Sequence, residues 1–183
     1  NYYVMFKKII LSLVVILAVA TGYLTYVLFI NPKSPRGTAE IENETLNVSV
    51  TYFRPFKKER LLFGSAEEGA LVPYDTYWRL GANMSTQFET ESPISFHGRQ
   101  LAPGTYRMYA IPYPDHWILA LNTEAGAFGY YPPDYTNDVM RVNVPSKQSS
   151  TPIEQFTIDF VKDSTGVSMR MRWDTTAVLV GIK

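Results

Sequence analysis

The feature that most constrains this chain is a charge-free apolar run from Ile9 to Ile30, IILSLVVILAVATGYLTYVLFI. Wound as an α-helix at about 1.5 Å per residue it is roughly 33 Å long, which matches a bilayer core of about 30 Å. Lys7 and Lys8 precede it and Asn31-Pro32 ends it. Tyr2, Tyr3 and Phe6 lie at one end and Tyr23, Tyr26 and Phe29 toward the other, as in the aromatic belts of a membrane interface. The run predicts a single transmembrane helix over residues 9–30, in contact with lipid. A cleaved secretory leader is the competing reading, because Ala18-Val19-Ala20 fits the small-x-small cleavage pattern. Against it, the apolar run continues to Ile30, past the length of a leader's core. A retained anchor is the expectation.

The basic residues flanking the span are nearly balanced, Lys7 and Lys8 before it and Lys33 and Arg36 after it. The long downstream domain weakens the second pair in the positive-inside count. The expectation is a bacterial inner-membrane protein, single-pass, with residues 1–8 cytoplasmic, a linker at 31–37 and a periplasmic domain at 38–183. Within the helix, Ala18, Thr21, Gly22 and Thr25 fall at i, i+3, i+4 and i+7 on one stripe. Small side chains on one face let a neighbouring helix approach closely, so these four are candidate helix-packing residues.

Beyond the span the pattern changes to a period of two. Leu46, Val48, Val50 and Tyr52 alternate with Asn47, Ser49 and Thr51; Tyr106, Met108 and Ala110 alternate with Arg107, Tyr109 and Ile111. Phe156, Ile158 and Phe160, and then Met169, Met171 and Trp173, repeat the pattern. That is the signature of half-buried strands. Strands are predicted over 38–43, 45–53, 77–82, 84–91, 94–101, 104–111, 116–122, 139–144, 153–162, 167–174 and 176–182, some of them merged. Turn chemistry separates them at His97-Gly98, Pro103-Gly104, Pro112 to Pro114, and Asp163-Ser164-Thr165-Gly166. The last of these predicts a hairpin between 153–162 and 167–174, and Glu67 to Leu71 suggests a short turn of helix. The fold class is all-β: an antiparallel two-sheet β-sandwich, jelly-roll-like, preceded by one transmembrane helix.

Several functions are excluded by composition. Lys plus Arg and Asp plus Glu both total 17, so there is no basic excess for nucleic acid. There is no cysteine, which removes disulfides, thiolate metal sites, thiol nucleophiles and a lipidated-cysteine anchor. His97 and His116 are the only histidines, and each sits beside a turn. No cofactor and no metal site is expected. No phosphate loop, nucleophile elbow or HExxH spacing occurs, and the chain is expected not to be an enzyme. Two segments are candidates for contact with a partner or ligand. One carries Tyr74, Tyr77, Trp78, Arg79 and Asn83, and reads either as a ligand-binding cluster or as a structural plug with Arg79 bonded to backbone carbonyls. The other, GYYPPDY, carries Tyr130, Tyr131 and Tyr135. It reads either as a rigid aromatic contact surface or as a cap folded back on the sandwich.

The strings Tyr52-x-Arg54-Pro55, Arg60-x-x-Phe63-Gly64, Leu71-Val72-Pro73-Tyr74-x-x-x-Trp78-Arg79-x-Gly81-Ala82-Asn83, Leu101-x-x-Gly104-Thr105-Tyr106 and Ile111-Pro112 occur in this order. Together they resemble the domain of unknown function 2911 family of bacterial extracytoplasmic proteins, over about residues 34–183. The resemblance implies an envelope-associated all-β domain and brings no reaction with it. The expected function is a non-enzymatic accessory subunit, its helix and β-domain packed on other subunits of an inner-membrane complex. A photosynthetic or respiratory assembly is one host that fits. A tethered periplasmic module that binds a glycan or small envelope ligand is the alternative.

Overall fold

The computed structural model describes residues 2–30, 33–163 and 166–183. The chain divides into two compact units, Asn1–Pro35 and Arg36–Lys183.

The first unit is helix α1, Tyr2–Thr25, continued by a π-wound turn, Tyr26–Ile30. The helix starts ahead of the apolar run because residues 2–8 contain no breaker, and Lys7 Nζ sits 4.4 Å over the Tyr3 ring one turn back. None of the residues of α1 is buried. It is long and apolar enough to cross a membrane, a property that an anchor and a leader sequence share. The predicted stop at Asn31-Pro32 lies outside the described residues.

In the second unit the alternation builds strands β1 (Arg36–Glu42), β2 (Asn47–Phe53), β5 (Thr86–Thr90), β8 (Gly104–Pro112), β9 (His116–Asn122), β10 (Asp138–Asp163) and β11 (Gly166–Ile182). Shorter strands are β3 (Phe63–Gly64), β4 (Val72–Pro73), β6 (Ile94–Phe96) and β7 (Arg99–Leu101). Nine form one sheet in the order β1-β2-β5-β8-β9-β10-β11-β6-β7, antiparallel throughout, while β3 and β4 form a small parallel pair. The antiparallel β class holds, and the sheet is continuous through β10. Residues Asp138 to Pro145 of β10 pair with β9, whereas Ser146 to Asp163 pair with β11. Register slips follow within the β10–β11 pairing, between Gln148 and Ile153 and between Ile153 and Thr157. On β11 the buried side switches from Met169, Met171 and Trp173 to Val178, Val180 and Ile182. The switch falls across Asp174, whose φ of 51° marks a bulge. These bends fold the sheet over, so that Phe88 of β5 meets Phe96 of β6 at 5.3 Å although they are distant in strand order.

The apolar residues of both inner faces form the core. One aromatic group holds Trp78, Trp117, Trp173, Phe63 and Phe156 together, with Trp78 stacked on Trp173 at 5.8 Å and edge-on to Trp117 at 5.3 Å. The Tyr52 hydroxyl reaches across to β10, accepting from Ile158 N at 2.7 Å and donating to Ile158 O at 3.1 Å.

The structure refines the expected elements. The segment 77–82 is no strand: Trp78 makes one bridge to Ala110, and then Leu80, Gly81 and Asn83 all take positive φ. Gly81 is required there, with φ of 143° and with the Phe53 carbonyl oxygen occupying the space a Cβ would need. The stretch 94–101 splits into β6 and β7 around His97-Gly98, both at positive φ. Segments 139–144 and 153–162 belong to one strand, as do 167–174 and 176–182. The predicted hairpin is present, with Lys162 opposite Val167 and Asp163 opposite Gly166; its tip, Ser164-Thr165, lies outside the described residues. Glu67 to Leu71 falls at a hydrogen-bonded turn, with Ser65 and Glu68 capping one another, rather than a helix.

Candidate functional site

On β8 the alternation places Tyr106, Met108 and Ala110 in the core and turns Arg107 and Tyr109 to the other face. That face is covered. The loop 123–137 and the stretch Tyr77–Ser85 lie over it, and Arg107 is left only 2% exposed. Arg107 Nη2 donates to the Tyr77 hydroxyl at 2.6 Å and to the Tyr131 carbonyl, and Nη1 lies 3.9 Å from Glu124. A buried guanidinium is stable only where acceptors meet it, and these acceptors all belong to the covering segments.

A second knot lies beside it. Asp138, at the start of β10, accepts from the Tyr109 hydroxyl at 2.7 Å, from Arg141 Nε at 2.7 Å and from Asn122 Nδ2 at 2.8 Å. Arg141 Nη2 also donates to the Tyr109 hydroxyl at 3.0 Å. Burial, then the bond to the Asp138 carboxylate, push the Tyr109 phenol well above its ordinary range. Burial raises Tyr77 as well, against the pull of Arg107. Arg141 is raised by its bond to Asp138. The loop closes on itself through Glu124, which accepts from Asp134 N at 3.2 Å and Asn137 Nδ2 at 3.1 Å. Asp134 caps the short 3₁₀ turn Tyr135–Asn137 and is held below the usual carboxylate range by the Thr136 hydroxyl and amide.

The two candidate segments therefore meet. Gly129 N donates to Asn83 O at 3.2 Å, the Tyr77 hydroxyl donates to Gly129 O at 3.0 Å, and Ser85 bonds Ala127 O through both its amide and its hydroxyl. A Cβ on Gly129 would stand 2.9 Å from both Ser85 N and Arg79 Cδ, so the backbones touch where only glycine fits. Arg79 donates to Asn83 O at 3.1 Å and lies 5.7 Å from the Tyr130 ring. Tyr135 stacks on Tyr109 at 5.8 Å beneath Arg141, which is 4.8 Å from its ring. Above this seam the rings stay in solvent: Phe128 is 60%, Tyr130 61%, Tyr131 70% and Tyr135 44% exposed. Met84 and Val139 are exposed too, and Met84 bridges to Phe128.

Tyr77, Arg79, Asn83, Tyr130, Tyr131 and Tyr135 thus share one surface. Trp78 leaves it for the core, with its Nε1 on Gly81 O at 3.3 Å. Tyr74 is fixed through its amide to Gly64 O at 2.8 Å. In α1, Ala18, Thr21, Gly22 and Thr25 are all exposed, and nothing lies within 4 Å of a Cβ built on Gly22. The threonine hydroxyls bond back to Leu17 O and Thr21 O, at 2.8 and 2.9 Å. His97 sits in the β6–β7 turn, and His116 stacks on Tyr113 at 4.7 Å with Nδ1 on Asp115. Among the described residues no three His, Asp or Glu side chains are grouped to hold a metal ion.

Sequence reasoning missed Arg107, Tyr109, Asn122, Glu124, Asp138 and Arg141. Strict alternation assigned Arg107 and Tyr109 to the solvent side. The available signal was an arginine beside aromatics on a strand whose following connection is long and tyrosine-rich.

No curated protein and no solved structure matches the chain. The family described as protein of unknown function (DUF2911) matches residues 34–182, the whole β-unit with its Trp78-Arg79-x-Gly81-Ala82-Asn83 string. The chain is a member of the DUF2911 family, preceded by an apolar helix long enough to span a bilayer.

Proposed function

We propose that this protein is a non-enzymatic, membrane-anchored accessory subunit. In this reading its β-domain docks on a protein partner through the surface formed by Phe128, Tyr130, Tyr131 and Tyr135. The observation that carries the reading is the contrast between exposure and support. Large aromatic rings stand in solvent while their backbone is fastened from beneath by the buried Arg107 and along the side by Asn83 and Ser85. Exposed aromatics held in place are what a protein interface uses, since little conformational entropy remains to be lost on docking. Most polar groups beneath are engaged in holding the loop: both Asp138 oxygens are taken, and Arg107 Nη2 is spent on Tyr77 and Tyr131, although Arg107 Nε is buried without a partner. That favours a contact surface over a reactive centre. The apolar helix supports a membrane anchor; in this reading the membrane is a bacterial inner membrane, with the N-terminus inside and the β-domain periplasmic. The stripe Ala18-Thr21-Gly22-Thr25 supports lateral packing on another helix of the host complex.

The test is co-purification of partner chains with the full protein in mild detergent. Tyr130→Ser/Tyr131→Ser should lose the partners, and Gly22→Leu should weaken their retention, while Val15→Leu behaves as wild type. Full retention by the tyrosine double variant would overturn the docking surface. The second reading, a tethered glycan-binding module, draws on the guanidinium groups of Arg79 and Arg141 beside the Tyr130 and Tyr135 rings. It gains if the double variant keeps its protein partners but loses binding to cell-wall glycan fragments.

A further inference from the structure

Away from the aromatic loop, the outer face of the β10–β11 hairpin carries an unusual concentration of arginine. Phe156, Ile158, Met169, Met171 and Trp173 fill the core side. The register sets Thr157 opposite Arg172 and Asp159 opposite Arg170, so these four share the other face. Asp159 is shared between two arginines. Arg170 grips it with two prongs, Nε to Oδ1 at 2.9 Å and Nη2 to Oδ2 at 2.7 Å, and Arg172 Nη2 reaches Oδ2 at 2.9 Å. Burial opposes the Asp159 charge, but Arg170 and then Arg172 outweigh it and hold the carboxyl below its usual range. A third guanidinium closes the row: Arg54 donates to Thr157 Oγ1 at 3.1 Å and to Phe156 O at 3.4 Å. Its path is fixed by Gly37, where a Cβ would stand 2.6 Å from Arg54 Cδ.

The row is not balanced. Three guanidinium groups carry fifteen N–H donors and, among the described residues, pair with one carboxylate, Asp159. Arg172 Nε is buried without any partner, although buried donors are nearly always satisfied. The donors are half-buried, held in register and in excess of acceptors, which is the arrangement that grips a tetrahedral oxyanion through several N–H groups. Arg36, six residues beyond Ile30 in the sequence, begins β1, and the Gly37 that follows it packs on Arg54. We infer that Arg54, Arg170 and Arg172 form a phosphate-binding row whose ligand is the headgroup phosphate of an anionic phospholipid. The choice of lipid as the source rests on the anchor reading above; the oxyanion site does not.

The experiment uses the full chain in dodecyl maltoside micelles at low salt, reading the arginine Nε–H resonances and the thermal melt. In one arm inorganic phosphate is titrated; in the others the micelles carry phosphatidylglycerol or phosphatidylcholine. Phosphate should shift the Arg172 Nε–H signal and raise the melting temperature. Phosphatidylglycerol should do so at lower concentration, and phosphatidylcholine should not. Arg172→Gln should weaken phosphate binding on the order of tenfold, while Asp159→Asn, which removes the competing carboxylate, should tighten it roughly fivefold. A purely structural ion-pair cluster gives no such opposite pair of shifts. No response to phosphate overturns the site. A phosphate response without preference for phosphatidylglycerol over phosphatidylcholine overturns the lipid assignment. Alkaline carbonate extraction of membranes reports separately on the anchor: release of the chain there, with phosphate binding intact, refutes the anchor and leaves the oxyanion site standing.

Discussion

A single residue, Arg107, shows why the outer face of β8 differs from its sequence reading. The period of two says which side of the strand a residue faces; it does not say whether that side meets water. Here fifteen residues of loop, 123–137, cover the face, and a charge sent outward becomes one of the most buried in the chain. The neighbouring Tyr109 makes the consequence measurable. Its phenol is raised by burial and by the Asp138 carboxylate, and Tyr77 and Tyr52 are raised chiefly by burial. In the unfolded chain a tyrosine titrates near pH 10. A group raised in the folded state stabilises fully below its unfolded pKa, and that stability is lost as pH climbs toward the folded value. The melting temperature should therefore fall above about pH 10. Tyr109→Phe should cost about 1–2 kcal/mol of stability at neutral pH, and should flatten the alkaline fall. Thermal melts of both proteins between pH 8 and about pH 11.5 check this; equal alkaline slopes would contradict it.

The elements divide into those that periodicity reveals and those that it hides. The cores of β2, β8, β9 and of both ends of β10 and β11 follow their alternation. The polar middle of β10, Ser146 to Thr151, reads as a loop because its register slips leave no clean alternation, yet the strand continues through it. The stretch Trp78–Asn83 misleads in the other direction. Its aromatic and apolar residues suggest a strand, but three positive φ values curl it into a plug. Trp78 enters the core and Arg79 turns back to a carbonyl, while Leu80 is fully buried. If this element is a structural plug, Trp78→Ala should cost about 3–5 kcal/mol, because Trp78 touches Trp117, Phe156 and Trp173 at once. Denaturant unfolding of the variant measures it, and a loss under about 1 kcal/mol would remove the plug from the core.

At the scale of the molecule, α1 has no buried residue, whereas the β-unit has its own core. Residues 34–183 should therefore fold alone, as a β-rich domain by circular dichroism, with a melting temperature close to that of the full chain in detergent. A helix-rich or uncooperative product would contradict the architecture. The all-β class and the preceding helix were legible because both rest on patterns within single segments. The junction between the candidate segments was not, since it depends on contacts between residues such as Asn83 and Gly129 that are far apart in the chain. One property of the sheet reaches further. Because β10 is hydrogen-bonded to β9 along its first part and to β11 along the rest, the two layers have no seam along which one could open and leave the other intact. Opening either layer means breaking a ladder that runs into the next, so amide protons on β8 and β11 should exchange through the same global event, and the domain should present proteases with no partly open intermediate.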